Sequence, residues 1–313
     1  MKSSLTNMIL SSSPYIEIIV RYVYWLLVQN FPTMSVKRRK RRKVHLPADF
    51  NKICQYLIDS GIAPGDILIV HSSYNNLRGT NMSPEGIISS LLGVVGSLGT
   101  LVMPAMPLFR NAPKKSDYLR KVNGSDIYEY DVNKTPIKTG ALASSLFRMQ
   151  GSYRSRHPIN TVVAVGAHAS YLVKDNVVSE ESLACGTTSS WYKALKKNAV
   201  IVGLGVDLTH SLTMIHVAED VNSHWPIKHW YRRRKFRIID GDFKLVLNLK
   251  ERHPKWGALH FAERTLCKDL LRENILKRNV IDGIQVEIIN SEALYEYLNE
   301  RNMNGYPYWL TAK

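Results

Sequence analysis

The chain has 313 residues, of which 45% are hydrophobic and 22% are charged. This length allows one large domain or two small ones, and the composition is typical of a globular protein that buries a core. The three cysteines, Cys54, Cys185 and Cys267, are scattered and lack CxxC spacing. They argue against a disulfide framework or a thiolate zinc site and indicate a reducing compartment.

The formal net charge of +16 is concentrated at the N-terminus. Residues 1–45 carry nine basic side chains, seven of them in the run at 37–43, against Glu17 as the one acidic residue. A basic field of this kind attracts phosphates, nucleic acid or anionic lipid. We therefore treat residues 1–45 as a basic N-terminal extension.

Residues 15–28 form an apolar, aromatic segment that Glu17 and Arg21 interrupt, and it is too short and too charged to predict a membrane span. Its apolar residues fall near one helical face. These residues are Ile16, Ile19, Val20, Val23, Leu26 and Leu27. With the basic run, they predict an interfacial amphipathic helix that binds an anionic membrane surface through residues 15–43. The alternatives are a basic tail with no membrane role, or upstream codons before a start at Met34. No signal-peptide cleavage site is evident, so we expect a cytoplasmic protein, free or peripheral at the inner face of the membrane.

From residue 46 onward, helical and strand-like periods alternate. Phe50, Ile53, Cys54, Leu57 and Ile58 have the spacing of one helix face. Further helices are predicted at 84–95, 139–149 with Thr139 as the cap, 212–221, 258–272 and up to residue 301. Strands are predicted at 67–70, 100–103, 161–165, 200–204 and 284–289, with a hairpin of 236–239 and 244–249. This alternation predicts a layered α/β domain.

Three segments next to predicted strands or helices carry polar groups suited to binding a ligand. The first is His71, Ser72 and Ser73, directly after a strand, where ligands gather in open α/β sheets; the alternative is turn chemistry. The second is the GTLVMP segment with Thr100, which alone is core structure. The third is the RSRHP loop with Arg154, Ser155 and Arg156, in which the guanidinium groups of the two arginines can bind phosphate; the alternative is a solvated basic loop.

A fourth segment pairs an imidazole with a carboxylate. His216 and Glu219 are three residues apart on a predicted helix, so they share one face. The pair can form a general base, with either residue as the base and the other as its partner. A surface ion pair is the ordinary alternative. The HxxE spacing does not match a zinc protease, the preceding Gly203-Leu204-Gly205 lacks the dinucleotide pattern, and no metal site is predicted.

Taken in order, the segments HSS, GTLVMP, RSRHP, GTTS and TMIHVAE resemble those of the aminoglycoside 3-N-acetyltransferase family, over about residues 46–226. The resemblance implies a layered α/β/α domain with a central mixed sheet, here residues 46–313, that uses acetyl-coenzyme A and no metal. It implies His216 as the catalytic base and Glu219 as its partner. The implied cofactor or oxyanion residues are His71, Ser72, Ser73, Thr100, Arg154, Ser155 and Thr213.

The acceptor is predicted from charge. Arg232, Arg233 and Arg234 follow the catalytic helix, and the chain is strongly basic, which favours a phosphate-bearing amino sugar over a polycation. We therefore expect N-acetylation of a nucleotide-linked or polysaccharide-precursor amino sugar. A solvated strand edge is the other interpretation of the arginines. The alternative acceptor is an aminoglycoside antibiotic, and the competing classes are a nucleic-acid-binding protein and a membrane-tethered non-enzymatic protein. We expect no specific nucleic-acid partner.

Overall fold

A computed structural model describes residues 5–30, 46–110, 126–303 and 308. The basic run at 37–43 lies outside these residues. The helices are α1 (Leu5–Leu10), α2 (Pro14–Asn30), α3 (Phe50–Asp59), α4 (Tyr74–Leu77), α5 (Pro84–Val95), α6 (Ala141–Arg148), α7 (Ala169–Val173), α8 (Ser190–Leu195), α9 (Ile215–Asp220), α10 (Glu263–Arg272) and α11 (Ser291–Met303). The strands are β1 (Ile67–Ser72), β2 (Thr100–Pro104), β3 (Ile127–Asp131), β4 (Tyr153–Arg154), β5 (Val162–Gly166), β6 (Val200–Leu204), β7 (Tyr231–Asp240), β8 (Phe243–Arg252), β9 (Leu276–Ile281) and β10 (Ile284–Asn290). Short helical turns span Arg78–Thr80, Leu208–His210 and Trp256–His260.

The central sheet has seven strands in the order β4-β5-β2-β1-β6-β10-β9. Strands β2, β1 and β6 are parallel, whereas β5 and β10 run antiparallel to their neighbours β2 and β6. The predicted mixed sheet is therefore confirmed. Because Ser72 pairs with Leu204, β1 and β6 end side by side, and the loops that follow them share one edge of the sheet.

Both faces of this sheet are covered, as the continuous apolar strands require. Along β1, Ile67 and Ile69 belong to one core, and Leu68 and Val70 belong to the other. Helices α3, α5 and α6 supply the core on the second face, and α7 to α11 supply the core on the first. The layered α/β/α architecture follows from this alternation.

A second sheet of three strands, β3-β7-β8, stands beside the first. The predicted hairpin is confirmed, and its strands are longer than expected, with Gly241 at φ +60° in the turn. Strand β3 joins β7 in parallel. Tyr130, Phe236 and Leu249 form part of a small separate core. The sequence analysis did not predict β3 or this core.

Two local expectations were wrong in detail. Ile58, assigned to the buried face of α3, is 47% exposed because the helix meets the core only through the Phe50, Ile53 and Leu57 stripe. Thr139 does not cap α6. Its hydroxyl donates to the carbonyl of Pro104 at 2.5 Å, which anchors the preceding loop to the end of β2.

The N-terminal helix α2 packs against the domain through its charged residues. Glu17 is fully buried, and its carboxylate accepts from the amides of Arg264 at 3.1 Å and Thr265 at 3.3 Å. It also pairs with the guanidinium groups of Arg264 at 3.0 Å and Arg21 at 3.1 Å. Helix α10 begins after Ala262, which offers no side-chain cap, so Glu17 satisfies amides that would otherwise lack partners. The predicted helix therefore forms, but it is attached to the domain.

No helix of the described residues combines the length and the apolar character needed to cross a membrane. This finding agrees with the interruption of the apolar segment by Glu17 and Arg21. Both charges have protein partners, because Arg21 also pairs with Glu263.

The Glu17 arrangement predicts that Glu17→Gln destabilises the protein. The substitution keeps the shape but removes the carboxylate that pairs with Arg264 and leaves Arg21 with Glu263 alone, and breaking a buried pair in this way costs about 3 kcal/mol. Urea unfolding followed by circular dichroism measures the change. The matched control is Glu296→Gln on the exposed side of α11, which should change stability by less than about 0.5 kcal/mol. Equal stability of the two variants would contradict the capping role.

Candidate active site

The turn between β6 and α9 places the candidate catalytic helix at the carboxyl edge of the sheet. Gly205 has φ +62°, and a Cβ there would lie 2.9 Å from the Cβ of Asn76, so glycine is required. The Asn76 side-chain amide donates to the Gly205 carbonyl at 2.6 Å, which ties this turn to α4, the short helix that follows β1. The buried carboxylate of Glu287 accepts from the Leu208 amide at 2.7 Å and fixes the next turn.

His216 and Glu219 form the predicted pair on α9. Nδ1 of His216 lies 2.9 Å from Oε2 of Glu219, and Glu219 is 3% exposed. Arg252, at the end of β8, places Nη1 3.1 Å from Nδ1 of His216 and 3.8 Å from the Glu219 carboxylate. The sequence analysis did not single out Arg252, because only the long-range pairing of β8 with β7 brings it here.

The environment of His216 keeps its imidazole neutral. Burial lowers the pKa of His216, Arg252 lowers it further, and Glu219 opposes both effects. Glu219 can only accept and Arg252 can only donate, so the two neighbours favour opposite tautomers of the ring. In the tautomer that satisfies Glu219, Nδ1 carries the proton and Nε2 is the basic nitrogen. The arrangement can therefore take a proton from a bound group.

His216 and Glu219 line an open cleft of about 340 Å³ between α9, the ends of the β7–β8 hairpin and the turn Trp256–His260. Three carboxylates contribute to its wall: Glu219, Asp220 and Glu251. The remaining lining residues are Ile159, Asn160, Ala184, Tyr231, Lys250, Arg252, Pro254, Gly257 and Ala258. The cleft is large enough for part of a polar small molecule.

Asp220 extends the group of carboxylates beside the base. It accepts from the hydroxyl of Tyr231 at 2.8 Å and from the amide of Cys185 at 2.9 Å. Burial raises the pKa of Asp220 to about 6, and the neighbouring Glu219 adds to the effect. Sequence reasoning missed this residue, although it follows Glu219 directly.

Four of the predicted cofactor residues lie where ligand binding is expected. His71, Ser72 and Ser73 occupy the carboxyl end of β1, and Thr213 precedes α9, where its carbonyl accepts the His216 amide at 3.0 Å. Burial lowers the pKa of His71 to about 4, so this ring is neutral. Its Nε2 has no hydrogen-bond partner among the described residues.

His71 is also connected to the cleft. Its ring stacks on Trp191 with 6.2 Å between centroids, and the Trp191 indole donates to the carbonyl of Asn160 at 2.7 Å. Asn160 is part of the cleft wall. The segment that begins at His71 and the helix that carries His216 and Glu219 therefore lie on the same side of the domain.

The other three predicted cofactor residues have structural roles. Thr100 begins β2, at the opposite end of the sheet, and its hydroxyl accepts the His168 amide at 2.8 Å. Ser155 is buried, and its hydroxyl accepts the His157 amide at 3.0 Å within its own loop. Because Thr100 lies at the end of the sheet away from the His71 side, its assignment is corrected, whereas a role for Ser155 in binding the cofactor stays a prediction.

Arg154 also departs from its predicted phosphate-binding role. The side chain is buried, and it donates to the carbonyls of Val132 at 3.2 Å, Thr135 at 2.6 Å and Ala105 at 3.1 Å. Its guanidinium lies over the rings of Tyr130 and Phe147 at 5.2 and 5.1 Å. The arginine thus joins the two sheets, because backbone carbonyls hold both of its terminal nitrogens inside the protein, and Nε is buried without a partner among the described residues.

The three arginines assigned to the acceptor are paired with carboxylates. Arg232 and Arg234 both meet the buried Glu251, and Arg234 also lies 4.6 Å from the Tyr128 ring centroid. Arg233 pairs with Glu181 at 2.5 Å. The three arginines thus pair with carboxylates of the hairpin and its neighbouring loop, with Glu251 shared by two of them, which weakens their predicted role in binding a phosphate. Among the described residues, no group of three or more histidine, cysteine or acidic side chains is arranged to hold a metal ion.

A family model described as "Aminoglycoside 3-N-acetyltransferase" matches residues 69–301. Aminoglycoside N(3)-acetyltransferase IX of Micromonospora chalcea is 28% identical over 216 residues, which is 63% of this chain and 74% of that protein. The SPbeta prophage-derived aminoglycoside N(3')-acetyltransferase-like protein YokD of Bacillus subtilis (strain 168) is 28% identical over 231 residues, covering 69% of this chain and 77% of that protein. The solved structure "AAC-IIIb binary with CoASH" has the same fold, with a TM-score of 0.66 at 19% identity over 85% of this chain and 99% of the other.

These similarities confirm the predicted α/β fold and the N-acyltransferase class, with acetyl-coenzyme A as the acyl donor of the family. The match covers the central sheet and the helix that carries His216 and Glu219. The chain belongs to the aminoglycoside 3-N-acetyltransferase family.

Proposed function

We propose that this protein transfers the acetyl group of acetyl-coenzyme A to an amine of an aminoglycoside. The observation that carries the proposal is the His216–Glu219 pair, with 2.9 Å between Nδ1 and Oε2, in a cleft with carboxylates in its wall. Family membership supports the same chemistry.

In the proposed mechanism, His216 removes the proton that prevents the amine from reacting. An ammonium has no lone pair, so a base must take a proton before nitrogen can attack the thioester carbonyl. Nε2 accepts that proton, while Glu219 holds Nδ1–H and stabilises the imidazolium that forms. The new C–N bond forms and the C–S bond breaks. The acylated nitrogen gives up its second proton, the departing thiolate takes up that proton, and His216 returns its own proton to solvent.

Arg252 serves as a positioning residue for this pair. It lies against both His216 and Glu219, so it holds the carboxylate in place and disfavours the protonated ring in the resting enzyme. A neutral base at physiological pH is the useful state, because only that form can accept the amine proton.

The hydroxyl-bearing residues Ser72, Ser73 and Thr213, together with His71, are the proposed contacts for acetyl-coenzyme A or the oxyanion. They lie at the carboxyl end of β1 and at the start of α9. Such groups can donate to the negative oxygen that develops during attack. The neutral, buried His71 suits donation of a hydrogen bond rather than pairing with a phosphate charge.

Charge supports a cationic acceptor. Each cation in the cleft wall meets a carboxylate: Lys250 contacts Glu181, and Arg252 lies beside Glu219. Asp220, whose carboxylate accepts only from the neutral donors Tyr231 and Cys185, adds a further acidic group to the wall, whereas Glu251 is already shared by Arg232 and Arg234. A polyamine sugar is attracted by such a surface, whereas a phosphate would face carboxylates. The arginines of β7 are paired with carboxylates, so they no longer favour a phosphate-bearing amino sugar. That sugar becomes the second candidate acceptor.

A cytoplasmic location is proposed on the free thiols. Cys54, Cys185 and Cys267 are all unpaired, as in a reducing compartment.

An acceptor panel tests this assignment. We expect release of free thiol from acetyl-coenzyme A with gentamicin, sisomicin or apramycin, with kcat/KM at least about tenfold higher than with a nucleotide-linked amino sugar. The product should carry one new acetamide, located by NMR. Turnover of the nucleotide-linked sugar alone would reverse the order of the two candidates.

The base assignment predicts a large loss in His216→Ala. Its kcat should fall by a factor on the order of 10² to 10⁴, with thermal stability near that of the wild type. The wild-type kcat/KM should rise with pH through a pKa below the ordinary histidine value, because burial favours the neutral ring.

Glu219→Gln should be milder and should move this limb to lower pH, since the neutral amide no longer stabilises the imidazolium. The control is His224→Ala, which removes an exposed imidazole and should leave both parameters unchanged. Normal turnover in His216→Ala would overturn the assignment.

Arg154→Met separates a structural role from a phosphate-binding one. The variant should lose about 2–4 kcal/mol of unfolding free energy, because three buried carbonyls lose their donor, while KM for acetyl-coenzyme A stays within about twofold. Arg156→Met in the same loop is the control: Arg156 is exposed and pairs with Asp240, so less than about 1 kcal/mol should be lost. A tenfold rise in the KM of Arg154→Met at unchanged stability would restore the phosphate-binding role.

A further inference from the structure

The N-terminal helices have the reverse of the usual polarity, with charges facing the protein and apolar groups facing outward. Glu17 and Arg21 contact α10 and its N-terminal turn. Eleven large hydrophobic residues of this segment are exposed, and we call them the apolar face: Met8, Ile9, Tyr15, Ile16, Ile19, Val20, Tyr22, Val23, Tyr24, Leu26 and Leu27. The other eleven exposed large hydrophobics are scattered over the remaining described residues. A contiguous patch of this kind marks an interaction site.

Basic residues accompany the apolar face. Lys268 of α10 is exposed and donates to the carbonyl of Ser11, between α1 and α2. In the sequence, seven consecutive basic residues at 37–43 follow shortly after α2 ends at Asn30. The partner that fits this face therefore combines an apolar surface with negative charge.

We propose that the apolar face docks the protein on an anionic lipid surface, with α2 lying in the plane of the interface. Tyrosines suit that depth, because the ring is apolar and the hydroxyl remains hydrated. A second copy of the chain is the less favourable occupant. It would bring a second set of like charges to the same place, and their repulsion opposes association.

Docking in this way holds the acceptor cleft close to the lipid. Arg21 donates to the carbonyl of Gly257 at 3.4 Å, and Gly257 lines the cleft that contains His216. The membrane-facing helix thus contacts the wall of the candidate active site directly. Binding can be measured without acetyl transfer, so the failure of this inference and the failure of the proposed function are distinguishable.

Vesicle flotation of the full-length protein tests the proposal. The protein should float with phosphatidylcholine vesicles that contain phosphatidylglycerol, should float far less with phosphatidylcholine alone, and should release as salt rises. Ile19→Asp combined with Val23→Asp should weaken vesicle binding at least about tenfold. Each change places a negative charge where docking would bury an apolar side chain in the lipid. Both positions are exposed in the free protein, so thermal stability and aminoglycoside turnover should not change.

The control variant is Leu98→Asp combined with Val178→Asp, which removes two hydrophobic residues that are more exposed than Ile19 and Val23 and lie far along the chain from the apolar face. It should float like the wild type. The proposal is overturned if the full-length protein stays at the bottom of the gradient at low salt, or if the Ile19 and Val23 variant floats normally. It is also overturned if that variant converts a stable dimer to a monomer in sedimentation experiments while wild-type protein ignores vesicles.

Discussion

A carboxylate that loses its water must find donors inside the protein, and this requirement organises the molecule. Glu17 receives the amides at the start of α10, and Glu287 receives the amide of Leu208 in the turn before the catalytic helix. Glu219 contacts the imidazole of His216, and Glu251 pairs with two arginines of β7. Each buried acid therefore fixes one element whose position the sheet alone does not determine.

This use of acids explains how a strongly basic chain presents a cleft without an excess of positive charge. The cations nearest the base are paired before any ligand arrives, so the field at His216 is set by neighbours such as Arg252 and Glu219 and not by the net charge. Net charge acts at longer range, where it governs association with large charged surfaces. Local ion pairs thus determine the charge that a ligand meets in the cleft, whereas the net charge determines attraction to large charged surfaces.

The parts that the sequence predicted are those encoded locally. His216 and Glu219 lie on one short helix, and Ser72 ends a strand. The helical and strand periods of the sequence are enough to predict these positions. Arg252 reaches His216 only through strand pairing, and no local pattern indicates it. Arg154 was misassigned because composition cannot distinguish a guanidinium that binds phosphate from one that binds backbone carbonyls. The orientation of α2 was likewise hidden, since Glu17 finds its partners on α10.

The contact between Glu17 and Arg264 spans 247 positions of the chain, and this separation has a consequence during synthesis. At ordinary rates of translation, roughly 10–50 s pass between the emergence of the carboxylate and that of its partners. For that interval the apolar segment is made but cannot be attached to the domain. During synthesis, chaperones, other nascent chains or a bilayer can therefore bind this segment before it attaches to the folded domain. Folding of α10, and not of α2, ends the interval in which Glu17 lacks its partners, while the apolar face stays exposed in the finished protein.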